Sequence, residues 1–277
     1  MIVISRDLVV SAGDGVNGDN PVIGYDNLVT TANLTATSAN TDYPATNLAN
    51  PSTYARWQAA DNGSPLSGVD EYLTVTISRT DPVDYVAIAR HNFGTGQVPI
   101  SIEIDDGLGD SPGYHEAIPP VLLRDDSPVL FRFSPTILTG LRVRLQPGNL
   151  VPTAAVLYVG KLLVVQRRLY VGHTPLKYGR SSRTLTGRSE AGHFLGRVIL
   201  QETRESAVAL QNLTPSWYRT YLDPFIEDSK ENPFFFAWRP QSYPYETGFA
   251  WMTNDPKPSN QRSNGMMQID LQMSGVV

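Results

Sequence analysis

The apolar residues of this 277-residue chain fall in short runs, each closed by turn residues, and this pattern restricts the fold most. Residues 70–78 (DEYLTVTIS), 83–90 (VDYVAIAR) and 98–104 (VPISIEI) alternate apolar and polar side chains or are rich in β-branched ones. Runs of the same kind lie at 129–133, 141–146 and 154–165. Short strands joined by polar loops predict a mainly β protein that contains a sandwich or jelly roll.

A different pattern begins after residue 165. Thr214 and Pro215 have the features of a helix N-cap and first helical position, and the aromatic residues that follow share one face, which predicts a helix near 215–223. Segments with strand character lie on both sides of it, at 193–201, 233–239, 248–252 and 265–273. Because the chain is longer than one ordinary domain, we predict a β-sandwich over 1–165 and a β-rich assembly domain with one helix over 166–277.

Composition and spacing argue against several kinds of site. The chain has no cysteine, which rules out disulfides, thiolate metal ligands and a cysteine nucleophile. Its four histidines, His91, His115, His173 and His193, have no HxH or HxxxH spacing, so no zinc site is predicted. Neither a phosphate-binding GxxxxGK motif nor a GxSxG elbow occurs. The longest apolar runs are far shorter than the ~18 residues of a spanning helix, which predicts no membrane span.

Two pairs of acidic residues could in principle supply the two carboxylates of a glycosidase. These pairs are Asp105 with Asp106 and Asp125 with Asp126. Both pairs lie beside Gly, Ser or Pro, where aspartate usually caps a turn by accepting a hydrogen bond from its own backbone. We therefore predict no catalytic residues, no enzymatic activity and no cofactor. A calcium ion in the same acidic loops stays open, although no specific motif supports it.

The charge is distributed unevenly along the chain. Residues 1–160 carry 8 Lys and Arg against 17 Asp and Glu, whereas residues 161–277 carry 14 against 10. The basic segment 161–200 lacks the interleaved aromatic residues on which single-stranded nucleic acid stacks, so no nucleic-acid partner is predicted. We expect this segment to contact an acidic surface of a neighbouring subunit, and a solvated face is the alternative. The arginines predicted to make the contact are Arg180, Arg183 and Arg188.

Several segments of the N-terminal part follow each other in a recognisable order. They are NTDYPATNLANPSTYARWQA, EYLTVTIS, VDYVAIARHNF, VPISIEIDDG, LRVRLQ and AAVLYVGKLLV. On these segments residues 40–165 resemble a discoidin, or F5/8-type galactose-binding-like, domain. The resemblance implies a jelly-roll sandwich with Trp57 packed beneath the barrel. It also implies ligand loops at the rim, with a host surface glycan as a candidate partner. The candidate ligand-binding residues are Arg56, His91, Asn92 and Phe93.

The C-terminal part contains GRSEAGHFLGRVIL, LTPSWYRTYLDPFIEDSKENPFFFAWRP, YPYETGFAW and GMMQIDLQMSGV. On these segments residues 166–277 resemble tail-tip and baseplate proteins of long-tailed bacteriophages, of the distal-tail and minor-tail kind. The resemblance implies a virion subunit, made in the host cytoplasm, that forms a trimeric or hexameric ring of identical copies. It would join the tail-tube and baseplate proteins to the host-recognition apparatus. Distal tail proteins usually place the ring domain first, and the reversed order here leaves the tail position and subunit number open.

Three consecutive phenylalanines, Phe234, Phe235 and Phe236, lie in a predicted strand. Because successive side chains point to opposite faces of a strand, at least one ring must face away from the others. We predict that these residues contact a neighbouring subunit or a second layer; coverage of both faces within their own domain is the alternative. The predicted function is therefore a self-assembling structural subunit of a phage tail tip. A free carbohydrate-binding or adhesion module is the alternative, and a glycan hydrolase is a further one.

Overall fold

The computed structural model describes residues 1–12, 18–60, 68–108, 113–169, 172–261 and 265–277. Three β-sheets are stacked face to face, with a helix on the outer face of the third. The predicted mainly β fold is confirmed. Within the described ranges, none of the helices combines the length and apolar character that crossing a bilayer requires.

The first two sheets form the predicted N-terminal sandwich. The five-stranded sheet contains, in spatial order, β3 (Leu34–Ala36), β5 (Glu71–Thr76), β10 (Gly140–Leu145), β7 (Ile100–Asp105) and β8 (His115–Val121). The four-stranded sheet contains β1 (Ile2–Ile4), β9 (Val129–Thr136), β6 (Val83–Ala89) and β12 (Val156–Gly160). Side chains on a strand point alternately to its two faces. On β10 the inner face is apolar, since Leu141, Val143 and Leu145 are buried, whereas Arg142 and Arg144 on the outer face are partly exposed.

The third sheet brings together strands from both ends of the chain. In spatial order it contains β13 (Leu163–Val164), β2 (Val22–Gly24), β16 (Phe234–Ala237), β17 (Thr247–Met252), β19 (Met267–Val276), β15 (Phe194–Leu213) and β14 (Arg180–Arg188); β18 (Ser259–Asn260) also pairs with β19. Strands β2 and β13 precede residue 166, yet both pair within this sheet. The division between residues 165 and 166 stays a prediction.

The remaining elements are short. A two-stranded pair contains β4 (Trp57–Gln58) and β11 (Thr153–Ala154). The helical elements are α1 (Arg6–Ala12), a 3₁₀ helix (Ala45–Ala49), α2 (Pro215–Trp217), a π-helical turn (Tyr218–Leu222) and α3 (Asp223–Asp228). The last three run on as one helix, which extends past Pro224, beyond the predicted end near residue 223. A π-helical turn directly before Pro224 widens the helix and accommodates a residue that has no N–H to donate.

Trp57 is anchored inside the sandwich core, as predicted. Its ring is fully buried, and its Nε1 donates a hydrogen bond to the backbone oxygen of Ser38 at 3.0 Å. The indole therefore buries a large apolar surface and leaves no polar atom unpaired. The polar loop that ends on Trp57 is thus fastened to the core by this side chain and by Leu48, which is buried in the same core.

A second apolar layer joins the sandwich to the third sheet. Phe235 and Phe249 pack on Tyr158 of β12, with ring centroids 5.4 Å and 6.0 Å apart and edge-to-face geometry. Phe234 and Phe236 point to the opposite face, where Phe234 packs against Phe225 of α3 at 4.9 Å.

The prediction that the three phenylalanines contact a neighbouring subunit needs correction. Phe234, Phe235 and Phe236 are exposed by 3% or less. The sandwich covers one face of β16 and the helix covers the other, so all three rings are buried by this chain itself. The second layer that we expected is present, and it belongs to the same molecule.

We expect Phe235→Ala to lower the free energy of unfolding by about 3–5 kcal/mol, because it removes the central ring of the layer between sandwich and third sheet. The measurement is urea unfolding followed by circular dichroism. Tyr221→Ala is the control, since Tyr221 is 52% exposed on the helix. A Phe235→Ala variant that unfolds at the same urea concentration as the control would show that the two parts are held together elsewhere.

Candidate functional site

Loops at one end of the sandwich surround an open cleft of about 620 Å³. We call it the loop-end cleft. It lies between the loop before β4, the turn after β6, the loop before β9 and strand β11. Its lining includes Thr53, Tyr54, Arg56, Arg90, Asn92 and Asp126. Of the four predicted ligand-binding residues, Arg56, His91 and Asn92 line this cleft. Their role in binding stays a prediction.

Phe93 does not reach the cleft. It is fully buried in the sandwich core, and its ring stacks on that of His91 with centroids 4.7 Å apart. The prediction that Phe93 contacts a ligand needs correction, because the core covers its ring on all sides. Its position next to polar His91 and Asn92 in the sequence gives no sign of this burial.

His91 and Asn92 brace the cleft from below. The Nε2 of His91 donates to the backbone oxygen of Ser127 at 2.9 Å, and its Nδ1 accepts from the N–H of Phe93 at 3.3 Å. Asn92 donates to the oxygen of Val151 and accepts from the N–H of Thr153, both at 2.8 Å. These bonds engage both ring nitrogens of His91 and both the oxygen and the nitrogen of the Asn92 amide. The two side chains therefore position the loops around the cleft.

Two residues that the sequence analysis did not select, Tyr54 and Arg90, are exposed in the cleft. The side chain of Tyr54 is 96% exposed, while its N–H donates to Ser52 Oγ at 3.3 Å, which holds the turn beneath it. Arg90 directly follows β6 and has a φ of +56°. A left-handed conformation costs a residue other than glycine on the order of 1–3 kcal/mol, and such strain is concentrated at functional sites.

The described lining residues of the cleft carry a net positive charge, with Arg56 and Arg90 against Asp126. Within the described ranges, the guanidinium of Arg90 has neither an ion pair nor a hydrogen bond, and that of Arg56 only stacks on the Tyr43 ring at 4.5 Å. The carboxylate of Asp126 is already engaged, since it accepts from the N–H and the Oγ1 of Thr95 at 2.9 Å and 2.6 Å. The two arginines therefore favour an anionic group in the cleft.

Three of the four aspartates considered for catalysis or calcium binding cap turns. Asp105 accepts from the N–H of Gly107 at 3.0 Å, Asp106 from that of Leu108 at 2.9 Å, and Asp125 from that of Ser127 at 3.1 Å. Among the residues whose placement is described, no group of three or more acidic or histidine side chains could hold a metal ion.

The three arginines predicted to contact a neighbouring subunit lie on a projecting ribbon. Among the described residues, strand β14 and residues 194–203 of β15 pair only with each other, since β15 joins β19 from Arg204 onwards. We call this pair the β14–β15 ribbon. Arg180, Arg183 and Arg188 are exposed on it. So are six large apolar side chains, each between 57% and 68% exposed: Leu185, Phe194, Leu195, Val198, Ile199 and Leu200.

The buried imidazole beneath the cleft predicts a loss of stability in acid. Burial lowers the pKa of His91 from 6.5 to about 4, so its contribution is complete above pH 6.5 and is lost as the pH falls towards 4, by on the order of 3 kcal/mol. Burial raises the pKa of Asp84 to about 6. Its contribution to the free energy of unfolding therefore changes in the opposite direction, and it rises as the pH falls from 6 to 3.8.

Comparison with a variant isolates the histidine from the other groups. We expect His91→Gln to lose less stability than the parent between pH 6.5 and 4.5, measured by urea unfolding at each pH. The control is His115→Gln, at an exposed position, which should follow the parent. Parallel curves for the parent and His91→Gln would contradict the account of a neutral buried imidazole.

Comparisons with known proteins find solved structures that are similar to about half of this chain. Neither protein-family models nor curated proteins match. CpGH89CBM32-5 of Clostridium perfringens, solved with GalNAc-β-1,3-galactose, is 16% identical and covers 46% of this chain and 93% of its own, with a TM-score of 0.38. Chitosan-binding module 1 of a Paenibacillus chitosanase/glucanase is also 16% identical and covers 48% and 98%, with a TM-score of 0.39. The CBM32 of AlyQ, solved with 4,5-unsaturated mannuronic acid, is 17% identical and covers 49% and 96%, with a TM-score of 0.36. TM-scores below 0.5 leave the function to be argued from the site itself.

Proposed function

We propose that this chain binds a carbohydrate in the loop-end cleft. The observation that carries the proposal is that an almost fully exposed Tyr54 ring and the guanidinium of Arg90, which has no ion pair among the described residues, line the same cleft. The C–H face of a sugar ring stacks on an aromatic face, and its hydroxyl or carboxylate groups accept from a guanidinium. Sites for small ligands have this composition, an apolar platform with a few polar groups that fix the orientation.

The rim is organised before a ligand arrives. His91, Asn92 and Asp126 hold the surrounding loops through hydrogen bonds to backbone groups. Because these bonds already fix the loops, binding a sugar would order little beyond the Tyr54 and Arg90 side chains. This supports specific recognition by a rigid surface.

The cleft supports binding without hydrolysis. A glycosidase needs two carboxyl groups on opposite sides of the scissile bond. Asp126 is the single carboxylate among the described lining residues, and Thr95 engages both of its oxygens. We therefore propose a non-enzymatic role.

The strained backbone of Arg90 allows a test that separates binding from folding. Arg90→Gly removes the guanidinium and relieves the left-handed strain, so we expect equal or higher thermal stability together with at least about 10-fold weaker sugar binding. Tyr54→Ala should weaken binding similarly. The measurement is a screen of bacterial surface polysaccharides, followed by calorimetric titration of the tightest one.

Tyr221→Ala is the control, since it removes an exposed aromatic ring that is not part of the cleft. Unchanged affinity in both Arg90→Gly and Tyr54→Ala, or the absence of any sugar that binds, would contradict a carbohydrate site in this cleft.

A specific observation favours a second role, assembly with identical copies, and we propose it as the second candidate function. Six large apolar side chains are exposed on the β14–β15 ribbon, and a two-stranded ribbon of this kind is marginally stable in water by itself. Its backbone edges are unpaired within the described residues. Exposed apolar residues and free edges are typical of a surface that another chain covers.

The charge distribution favours a second copy of this chain as the partner that covers the ribbon. Residues 180–204 carry five arginines and two glutamates, whereas residues 1–160 carry nine more acidic than basic side chains. The ribbon of one copy thus complements the acidic sandwich of the next. The resemblance to phage tail-tip proteins would make such an assembly a trimeric or hexameric ring in the virion.

We expect the parent chain to form oligomers at micromolar concentration and Ile199→Asp to be monomeric, because the new charge lies in the apolar patch on the ribbon. The measurement is light scattering at low and high salt, with weaker association expected at high salt. Val69→Asp is the control, an exposed apolar position outside the ribbon. A parent chain that stays monomeric at both salt concentrations would contradict self-assembly.

A further inference from the structure

A second concavity of about 450 Å³ lies next to the loop-end cleft. Its lining includes Ser52 and Thr53 from the loop before β4, Lys230 and Asn232 from the loop after α3, and Trp251 from β17. Thr53 lines both concavities. A ligand that leaves the loop-end cleft across Thr53 therefore enters the second concavity, which we call the Trp251 pocket.

We propose that the two concavities form one groove for an acidic oligosaccharide, with a carboxylate at Arg90 and a sugar ring on Trp251. This inference rests on the proposed carbohydrate binding and adds the ligand class and a subsite from the third sheet. The sandwich provides one end of the groove and the third sheet provides the other. A single small sugar would fill only the first part.

The position of Trp251 in its strand makes the ring available. Phe249 and Trp251 lie on the same face of β17, because side chains two residues apart point the same way. Phe249 is buried against the sandwich, whereas Trp251 lies beyond the edge of that contact and is 41% exposed. One face of β17 therefore has a buried aromatic residue, Phe249, and an exposed one, Trp251, which lines the pocket.

The other three tryptophans each make a hydrogen bond or a ring contact within the chain, and Trp251 differs from them. Trp57 donates to Ser38, Trp238 donates to Glu246 at 2.6 Å, and Trp217 packs against Tyr221 with centroids 6.1 Å apart. In the described part of the chain, Trp251 has neither a hydrogen bond nor a ring partner. Its indole N–H has no partner among these residues, and the exposed part of its side chain is therefore available to a ligand.

The loop between the two concavities is held in place. Asn50 Oδ1 accepts from the N–H of Ser52 at 3.0 Å, and Ser52 Oγ accepts from the N–H of Tyr54. These two turns fix the backbone on both sides of Thr53, which lines both concavities. Because the loop is already fixed, one extended ligand could contact both parts with little loss of loop entropy.

The charges of the two parts assign the order of sugar units. The loop-end cleft has two guanidiniums without an ion pair among the described residues, Arg56 and Arg90, against the single carboxylate of Asp126. In the Trp251 pocket, Lys230 is paired with Glu227 at 2.7 Å and Glu231 adds a negative charge. The anionic unit therefore belongs in the loop-end cleft, and the apolar face of a further sugar belongs on Trp251.

The test uses oligogalacturonates of two to eight units as probes, titrated calorimetrically into the full chain, with neutral chito-oligosaccharides of matched length for comparison. We expect the affinity for oligogalacturonates to rise with length until the groove is filled, and to exceed that for the neutral series. Trp251→Ala should weaken the longest oligogalacturonate about 5- to 10-fold and leave the shortest unchanged. Arg90→Gly should weaken every length.

The control and the possible outcomes separate this inference from the proposed function. Tyr221→Ala should bind all lengths as the parent does. If Arg90→Gly weakens binding but Trp251→Ala changes no length, the groove is overturned while the loop-end cleft stands. If the neutral series binds as tightly as the acidic one, the assignment of an acidic ligand is overturned. If no probe and no other sugar binds, both proposals fail.

Discussion

The packing of Phe235 and Phe249 on Tyr158 holds the third sheet against the sandwich, and the arrangement of the functional surfaces depends on it. Tyr158 also donates through its hydroxyl to the backbone oxygen of Pro233 at 3.0 Å, which fixes the loop after α3 beside the sandwich loops. Strand β2 comes close to the same layer, since a side chain at Gly24 would meet the ring of Tyr85 at 2.7 Å. These contacts bring Trp251 next to the rim that carries Tyr54.

Because the apolar layer between the sandwich and the third sheet is buried, Phe235 and Phe249 are not available for contacts with another chain. The aromatic strand of the C-terminal part is used for internal packing, and six of the exposed large apolar side chains among its described residues lie together on the β14–β15 ribbon, well separated in sequence from the residues of the loop-end cleft. Sugar binding and self-assembly would thus use different surfaces of one molecule. An assembly of copies through the ribbon would present several clefts together, and avidity would then strengthen the binding of a repetitive polysaccharide.

Local pattern predicted much of the fold. The segment predicted at 83–90 is strand Val83–Ala89, because a β-branched run bounded by turn residues depends on near neighbours. The segment predicted at 193–201 is part of the much longer Phe194–Leu213, because pairing with β19 and β14 extends it. The layer that covers Phe235 comes from distant residues, and a strand with apolar residues on both faces does not reveal whether its own chain or another one covers it.

The sequence predicted that the loop containing Arg56 and the turn containing Asn92 lie together, and both line the candidate site. It did not predict that Tyr54 and Arg90 are exposed in the same cleft. Exposure of a tyrosine and the φ angle of an arginine are set by tertiary contacts, which residue type alone does not show. The most direct test of the account is a crystal structure of the chain soaked with the acidic oligosaccharide that it binds most tightly. The account predicts sugar density on the Tyr54 ring, with a carboxylate within hydrogen-bonding distance of Arg90. Density at any other surface, with the loop-end cleft empty, would contradict it.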